Sequence, residues 1–361
     1  MRKISNKIIG LLLVAVFPFG LIGCGANSLS KEEESNTSTK KTNESFSIVD
    51  SYDRTIEFER VPKTIAVLNS DIYQLICLLG GKDKIIGISD TVKFPTPPKD
   101  AKVLGRWKDV NVEKILEVNP EVLFTYGKYT NEEVKKKLEA AGIKVVFIDS
   151  YKFDEITDEV TKVGKILGSE DIADDFNKFV KKYVDIINDR IGSISEEEKV
   201  NVYFEGHSDY KTVGEDSAGQ ELLNVSCVRN VAGSEEERCP KISDEWIIDK
   251  NPQVIIKVIG GSKGILGFGI KDSSKAKEAY NSIIKRSGWE NLDAVKNKKV
   301  YILDDSTTLS SQGSIIGALR IAKICYPDKF KDIIVEDVHK ELYSKFYGMD
   351  LEGIFVYDGD N

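Results

Sequence analysis

The segment from Glu113 to Phe124 recurs in outline from Glu245 to Ile256. Each position returns 132 residues later, Glu113 as Glu245, Asn119-Pro120 as Asn251-Pro252 and Val122 as Val254. In both copies a glutamate opens a short amphipathic helix, an Asn-Pro pair stops it, and an apolar β-run follows. Proline cannot continue a helix and pushes the residue before it toward extended backbone, so the pair is a physical stop. A helix–stop–strand unit used twice predicts two related α/β lobes, and two lobes make a cleft. The bland alternative is a chance match between two ordinary helix-to-strand junctions; the shared position of the glutamate weighs against it.

The N-terminus predicts where such lobes work. Arg2, Lys3 and Lys7 precede an apolar run from Ile8 to Ile22, which ends in Leu21-Ile22-Gly23-Cys24. A basic start, a short apolar stretch and small residues before a cut describe a secretory signal over residues 1–23 rather than a membrane span. Leu-x-Gly-Cys resembles the bacterial lipobox, which makes Cys24 the expected site of lipidation and the mature N-terminus. Residues 24–45 are nearly free of apolar side chains after Ala26, cannot bury enough surface to fold, and read as a tether. Acyl chains, at about 0.8 kcal/mol per buried methylene, would hold the body on a membrane surface.

About 315 residues then remain, enough for two ordinary domains. A formal net charge of −8 argues against nucleic acid as a partner, which would call for a basic stripe. Four cysteines remain: Cys77, Cys227, Cys239 and Cys325. Cys77 lies in an apolar run and reads as a buried thiol. An exported protein can form disulfides, and Cys227 with Cys325 or with Cys239 are the pairings left open.

The order of elements predicts a hairpin over Phe46–Glu59. Strands and helices then alternate to Ile148, as in a mostly parallel sheet with right-handed crossovers. Helical periodicity runs from Phe153 to about Ile191, interrupted only by Gly164 and Gly168, and is long enough to bridge two lobes. The alternation resumes from Lys199. The boundaries expected are 46–152 for the first lobe, 153–192 for a bridging helix and 193–361 for the second lobe.

The chain resembles the substrate-binding lipoproteins of ABC importers, of the class that serves iron–siderophore, haem and cobalamin uptake. The resemblance covers everything from about Phe46 onward. It is carried by Val61-Pro62-Lys63-Thr64-Ile65-Ala66-Val67, by Gly105-Arg106-Trp107-Lys108-Asp109-Val110-Asn111-Val112-Glu113, by the Asn-Pro repeats, by Ala141–Val146 and by Gly288-Trp289. It implies an α/β fold of two Rossmann-like lobes with mostly parallel sheets joined by one long helix. It also implies a lipid-anchored, extracytoplasmic monomer without a cofactor of its own, which hands a metal chelate to permease and ATPase subunits. An acidic residue on each lobe docks the permease in that family, and the matching positions are Glu113 and Glu245. Trp107 matches an aromatic that lines the pocket of the cobalamin branch, and Cys227 with Cys325 falls where that branch has a disulfide.

Ligands of open α/β sheets bind beyond the carboxyl ends of the strands. Those loops carry Asn69, Asp90, Phe94, Arg106, Trp107, Tyr126, Lys128 and Tyr129 on the first lobe, and His207, Asp209, Tyr210 and Gly260–Gly264 on the second. Aromatic faces suit a macrocycle or a catecholate, and Arg or Lys answers an anionic chelate. His207, the better placed of the two histidines, could ligate a carried metal directly or hydrogen-bond its chelator. His339 sits in a charged helix and reads as solvated.

Two readings from other classes are weaker. A surface-anchored hydrolase would want a Gly-x-Ser-x-Gly elbow, and none is present; Gly260–Gly264 is no phosphate loop either. A free zinc or manganese carrier gathers several imidazoles, and this chain has two histidines.

Overall fold

The computed structural model describes residues 44–106, 108–149, 153–260, 263–309 and 312–359. The signal, Cys24 and most of the tether lie outside them, as do Trp107, Gly261, Ser262 and the side chain of Tyr129. Among the described residues no helix is long and apolar enough to cross a membrane.

Strands β1 (Phe46–Val49) and β2 (Thr55–Phe58) form an antiparallel hairpin, with Asp53 left-handed in its turn. The first sheet holds β3 (Ile65–Val67), β4 (Ile85–Ile88) and β5 (Lys102–Val103). After a small ladder of β6 (Gly105–Arg106) with β7 (Asp109–Val110), it also takes β8 (Val122–Thr125) and β9 (Lys144–Phe147). Its order is β5-β4-β3-β8-β9, and every pair is parallel. The second sheet runs β11-β10-β12-β14-β16, from β10 (Asn201–Glu205), β11 (Arg229–Asn230), β12 (Val254–Ile259), β14 (Val300–Asp304) and β16 (Val356–Tyr357). Only its last pair is antiparallel. A further short ladder joins β13 (Gly267–Phe268) to β15 (Gly353–Ile354).

Strand alternation sends side chains to both faces, and helices cover both, as parallel sheets require. Ile65 and Val67 enter one apolar cluster while Ala66 and Leu68 enter another; in the second sheet Phe204 and Tyr203 divide likewise. Helices α2 (Val112–Val118) and α3 (Glu132–Ala140) cover the outer face of the first sheet. Helices α7 (Asp244–Lys250), α8 (Ser274–Ile284) and α9 (Asp293–Lys296) cover the outer face of the second. The inner faces share a single cluster with α1 (Ser70–Leu78), α4 (Ile156–Leu167), α5 (Glu170–Ile191), α6 (Ala218–Val225), α10 (Ser314–Cys325) and α11 (Val335–Leu342).

The repeated unit is the same structure twice. Asn111 and Ser243 cap α2 and α7 by accepting from the backbone N–H of Lys114 and Trp246. Asn119 and Asn251 end them in left-handed backbone, each N–H donating to the carbonyl of Ile115 or Ile247 at 2.9 Å. Asparagine tolerates that conformation better than other side chains that carry a Cβ, and the proline after it closes the helix. Each unit then feeds a fully buried strand, β8 or β12.

The stretch expected as one bridging helix is two. Gly168 takes left-handed backbone (φ 72°) and ends α4, and α5 starts at Glu170. The two pack side by side, so close that a Cβ on Gly164 would meet Ala173 Cβ at 2.6 Å. Helix α4 lies on the first lobe beside α1 and β1, and α5 lies along α10 of the second, so the spine is a helical pair.

Candidate functional site

The carboxyl ends of both sheets' strands supply the polar groups between the lobes. At the end of β3, Asn69 is only 1% exposed, its side-chain amide set against the Tyr126 hydroxyl. The Tyr126 hydroxyl, just past β8, donates to the Asp71 carboxylate. Burial and that negative charge hold the phenol's proton well beyond its ordinary range. Gln312 reaches from the second lobe and donates from Nε2 to the Asp71 carbonyl at 3.0 Å, while its buried Oε1 has no partner among the described residues.

On the second lobe His207 follows β10 and Asp305 follows β14, with His207 Nε2 3.3 Å from Asp305 Oδ2. Beneath them Asp304 is buried, and burial, reinforced by the charge of Asp305, pushes its carboxyl up to about 6. Among the described residues no three His, Cys, Asp or Glu side chains are placed to hold a metal ion. His207 therefore has a carboxylate beside it but no set of co-ligands.

Several expected ligand residues are engaged by the protein itself. Phe94 packs across the lobes on Phe268 (ring centroids 4.4 Å apart), with Tyr343 at 5.8 Å and Tyr347 at 6.4 Å. Tyr210 donates to Asp244 at 3.2 Å and its ring lies under Arg286 and against Trp289. Arg106 is exposed and bonds Asp90 from Nε at 2.9 Å. Lys128 is exposed. Trp107 and the side chain of Tyr129 lie outside the described residues.

Asp209, itself exposed, and Tyr210 border a buried charge network. Arg286 grips Glu205 with two bonds of 2.7 and 2.9 Å, Lys257 reaches Glu205 at 2.9 Å and Asp209 at 3.0 Å, and the Tyr203 hydroxyl donates to Glu205 at 2.8 Å. Burial pushes the Glu205 carboxyl up, but Arg286 and Lys257 outweigh it and hold the group below its usual range. Reading the loops alone missed this network, although a lysine in the middle of Val254–Ile259 was its signal.

Two further expectations are corrected. Cys77, Cys227, Cys239 and Cys325 are free thiols in this structure, which joins neither Cys227 with Cys325 nor Cys227 with Cys239. Cys239 is exposed while Cys227 and Cys325 are buried. Tyr326 instead ties the latter two segments, donating to the Cys227 carbonyl at 2.9 Å. His339 is not solvated. It is 1% exposed, packed edge-on against Tyr343 and Phe355, because Val335, Val338, His339 and Leu342 form the inward stripe of α11.

Glu113 and Glu245, the expected docking residues, are both exposed in the first turns of α2 and α7.

The sequence and the fold were compared with known proteins. The family profile described as periplasmic binding protein matches residues 65–307. An uncharacterised ABC transporter substrate-binding lipoprotein of Bacillus subtilis (strain 168), YvrC, is 28% identical over 340 residues, covering 92% of this chain and 100% of that one. The molybdate-binding protein MolA of Haemophilus influenzae is 23% identical over 356 residues, covering 91% of this chain and 95% of its own. Among solved structures, a TroA-like periplasmic binding protein from Veillonella parvula, FepB, superposes with a TM-score of 0.74 at 23% identity. It covers 86% of this chain and 99% of that one.

Proposed function

The chain belongs to the periplasmic binding protein family, and on that premise we propose that it is the extracytoplasmic, lipid-anchored substrate-binding component of an ABC importer. It captures a metal chelate, a corrinoid or a ferric siderophore, between its lobes and delivers it to a permease. One observation carries the reading: the glutamate-headed helix stands on both lobes in the same cap geometry, as a carrier meeting a two-fold partner would need. A polar group between the lobes supports it, since Gln312 keeps its buried Oε1 without a partner among the described residues. Such an atom favours a ligand that supplies the missing bond. Arg106, exposed beside Asp90, keeps further guanidinium N–H groups that favour an anionic cargo. The protein does no covalent chemistry in this account; binding and release are its work, and Cys24 is the lipid attachment point.

Titrating the purified protein with cyanocobalamin, haem, several ferric siderophores and molybdate, followed by tryptophan fluorescence and calorimetry, tests the proposal. A saturable one-to-one response to one chelate is expected, weakened by Trp107→Ala. Response to molybdate alone would replace the chelate by a bare oxyanion, and silence toward every member of the panel would remove the chelate reading. For docking, Glu113→Arg with Glu245→Arg should abolish permease coupling and leave ligand affinity intact; lost affinity instead would exclude that role.

A further inference from the structure

Resting on the docking reading above, we propose that the permease contact is built from an apolar anchor as well as a charge on each lobe: Leu116 on the first and Ile248 on the second. Both are large apolar side chains left in water, 39% and 40% exposed, on helices whose inward residues Ile115 and Ile247 are 0% exposed. A single exposed leucine is ordinary and needs no explanation. These two are the same position of the repeat, 132 residues apart, so the exposure is duplicated along with the fold.

Residues three and four apart share a helix face. Leu116 therefore stands beside Glu113 with Glu117 one place further on, and Ile248 stands beside Glu245 with Asp249 one place further on. Each lobe displays one apolar side chain bracketed by two exposed carboxylates. Among the described residues none of the four carboxylates forms an ion pair with a lysine or arginine of the protein. Ile248 is also propped from behind, since a Cβ on Gly288 would meet its Cδ1 at 2.6 Å.

The occupant that fits is one partner presenting the same surface twice: a guanidinium or ammonium group flanking an apolar recess, at two positions related by a two-fold axis. A membrane-embedded permease dimer has that chemistry and symmetry, and a partner with one such recess would leave half the display unused. Charge would steer and register the encounter, while the apolar side chains, dried on contact, would lengthen its lifetime.

The test uses the full lipid-anchored protein and its permease–ATPase complex in nanodiscs, reading affinity and ATPase stimulation. Leu116→Ser with Ile248→Ser should weaken permease affinity about a hundredfold, each single change by about tenfold. The melting temperature should fall only slightly, because each side chain is already 39% or 40% exposed. Ile334→Ser, an exposed apolar residue (57%) with no counterpart in the repeat, should bind as wild type. If the serine pair binds as wild type while Glu113→Arg with Glu245→Arg does not, the anchor proposal fails and the docking reading stands. If both pairs bind as wild type, the docking reading fails as well.

Discussion

His339 is held without a charge inside the second lobe. Burial, then the nearby Arg320 guanidinium, depress its pKa from 6.5 to about 3. An unfolded chain takes up that proton near pH 6.5 and the folded one refuses it until about pH 3, so the group's contribution to stability is complete above pH 6.5 and drains away as pH falls. The loss should approach about 1.4 kcal/mol for each pH unit through that window. His339→Phe, followed by urea unfolding from pH 7 to 4, should flatten the acid limb; an unchanged slope would mean the imidazole reaches water. Arg286 makes the opposite kind of prediction. Replacing it with alanine leaves Glu205 buried with Lys257 as its remaining cation and should cost about 3–5 kcal/mol in denaturant unfolding. His339 and Lys257 show why side chains taken one by one do not reveal their surroundings. The charges around His339 along the chain point to solvent, while its spacing from Val335 and Leu342 places it inside. Lys257 sits in an otherwise apolar strand, a pattern that calls for a buried counter-ion, but Glu205 lies 52 residues earlier and only the fold brings them together.

At the scale of elements, the Asn-Pro units were legible because proline and left-handed asparagine act locally, within one turn of helix. The α4–α5 break was half legible. Gly168 stands in the sequence, yet a glycine within a periodic stretch signals either a tolerated defect or a stop, and what decides is the packing that folds α5 back on α4. Gly164 stands within that packing, directly against Ala173. Gly164→Val should push the pair apart and cost about 2–3 kcal/mol as an overpacked contact, whereas Gly168→Ala should cost only about 1 kcal/mol for left-handed backbone. Thermal or chemical unfolding of the two variants separates these effects; equal losses would mean that close helix contact is not what Gly164 provides. The thiols were illegible for a related reason: pairing depends on how Cys227, Cys239 and Cys325 are brought together in space, and spacing along the chain carries none of that.

For the molecule as a whole, Phe94 reaches across to Phe268 and the helical pair lies against both lobes, so relative motion must work against packed apolar surface. Ligand addition should leave the radius of gyration in solution nearly unchanged, and a large compaction by X-ray scattering would overturn that expectation. Phe94→Ala should loosen the lobes and increase whatever small change the wild type shows.

The interior shared by the two sheets has a last consequence, for heat. Halves with separate interiors could melt in sequence, giving two calorimetric peaks and a surviving fragment. Here the same buried cluster takes side chains from β3, α4, α5, β12 and α10, so neither half can lose its packing while the other keeps it. A single endotherm is expected, with calorimetric and van't Hoff enthalpies in agreement, and a chain cut between Ile191 and Asn201 should yield pieces that regain structure only when mixed.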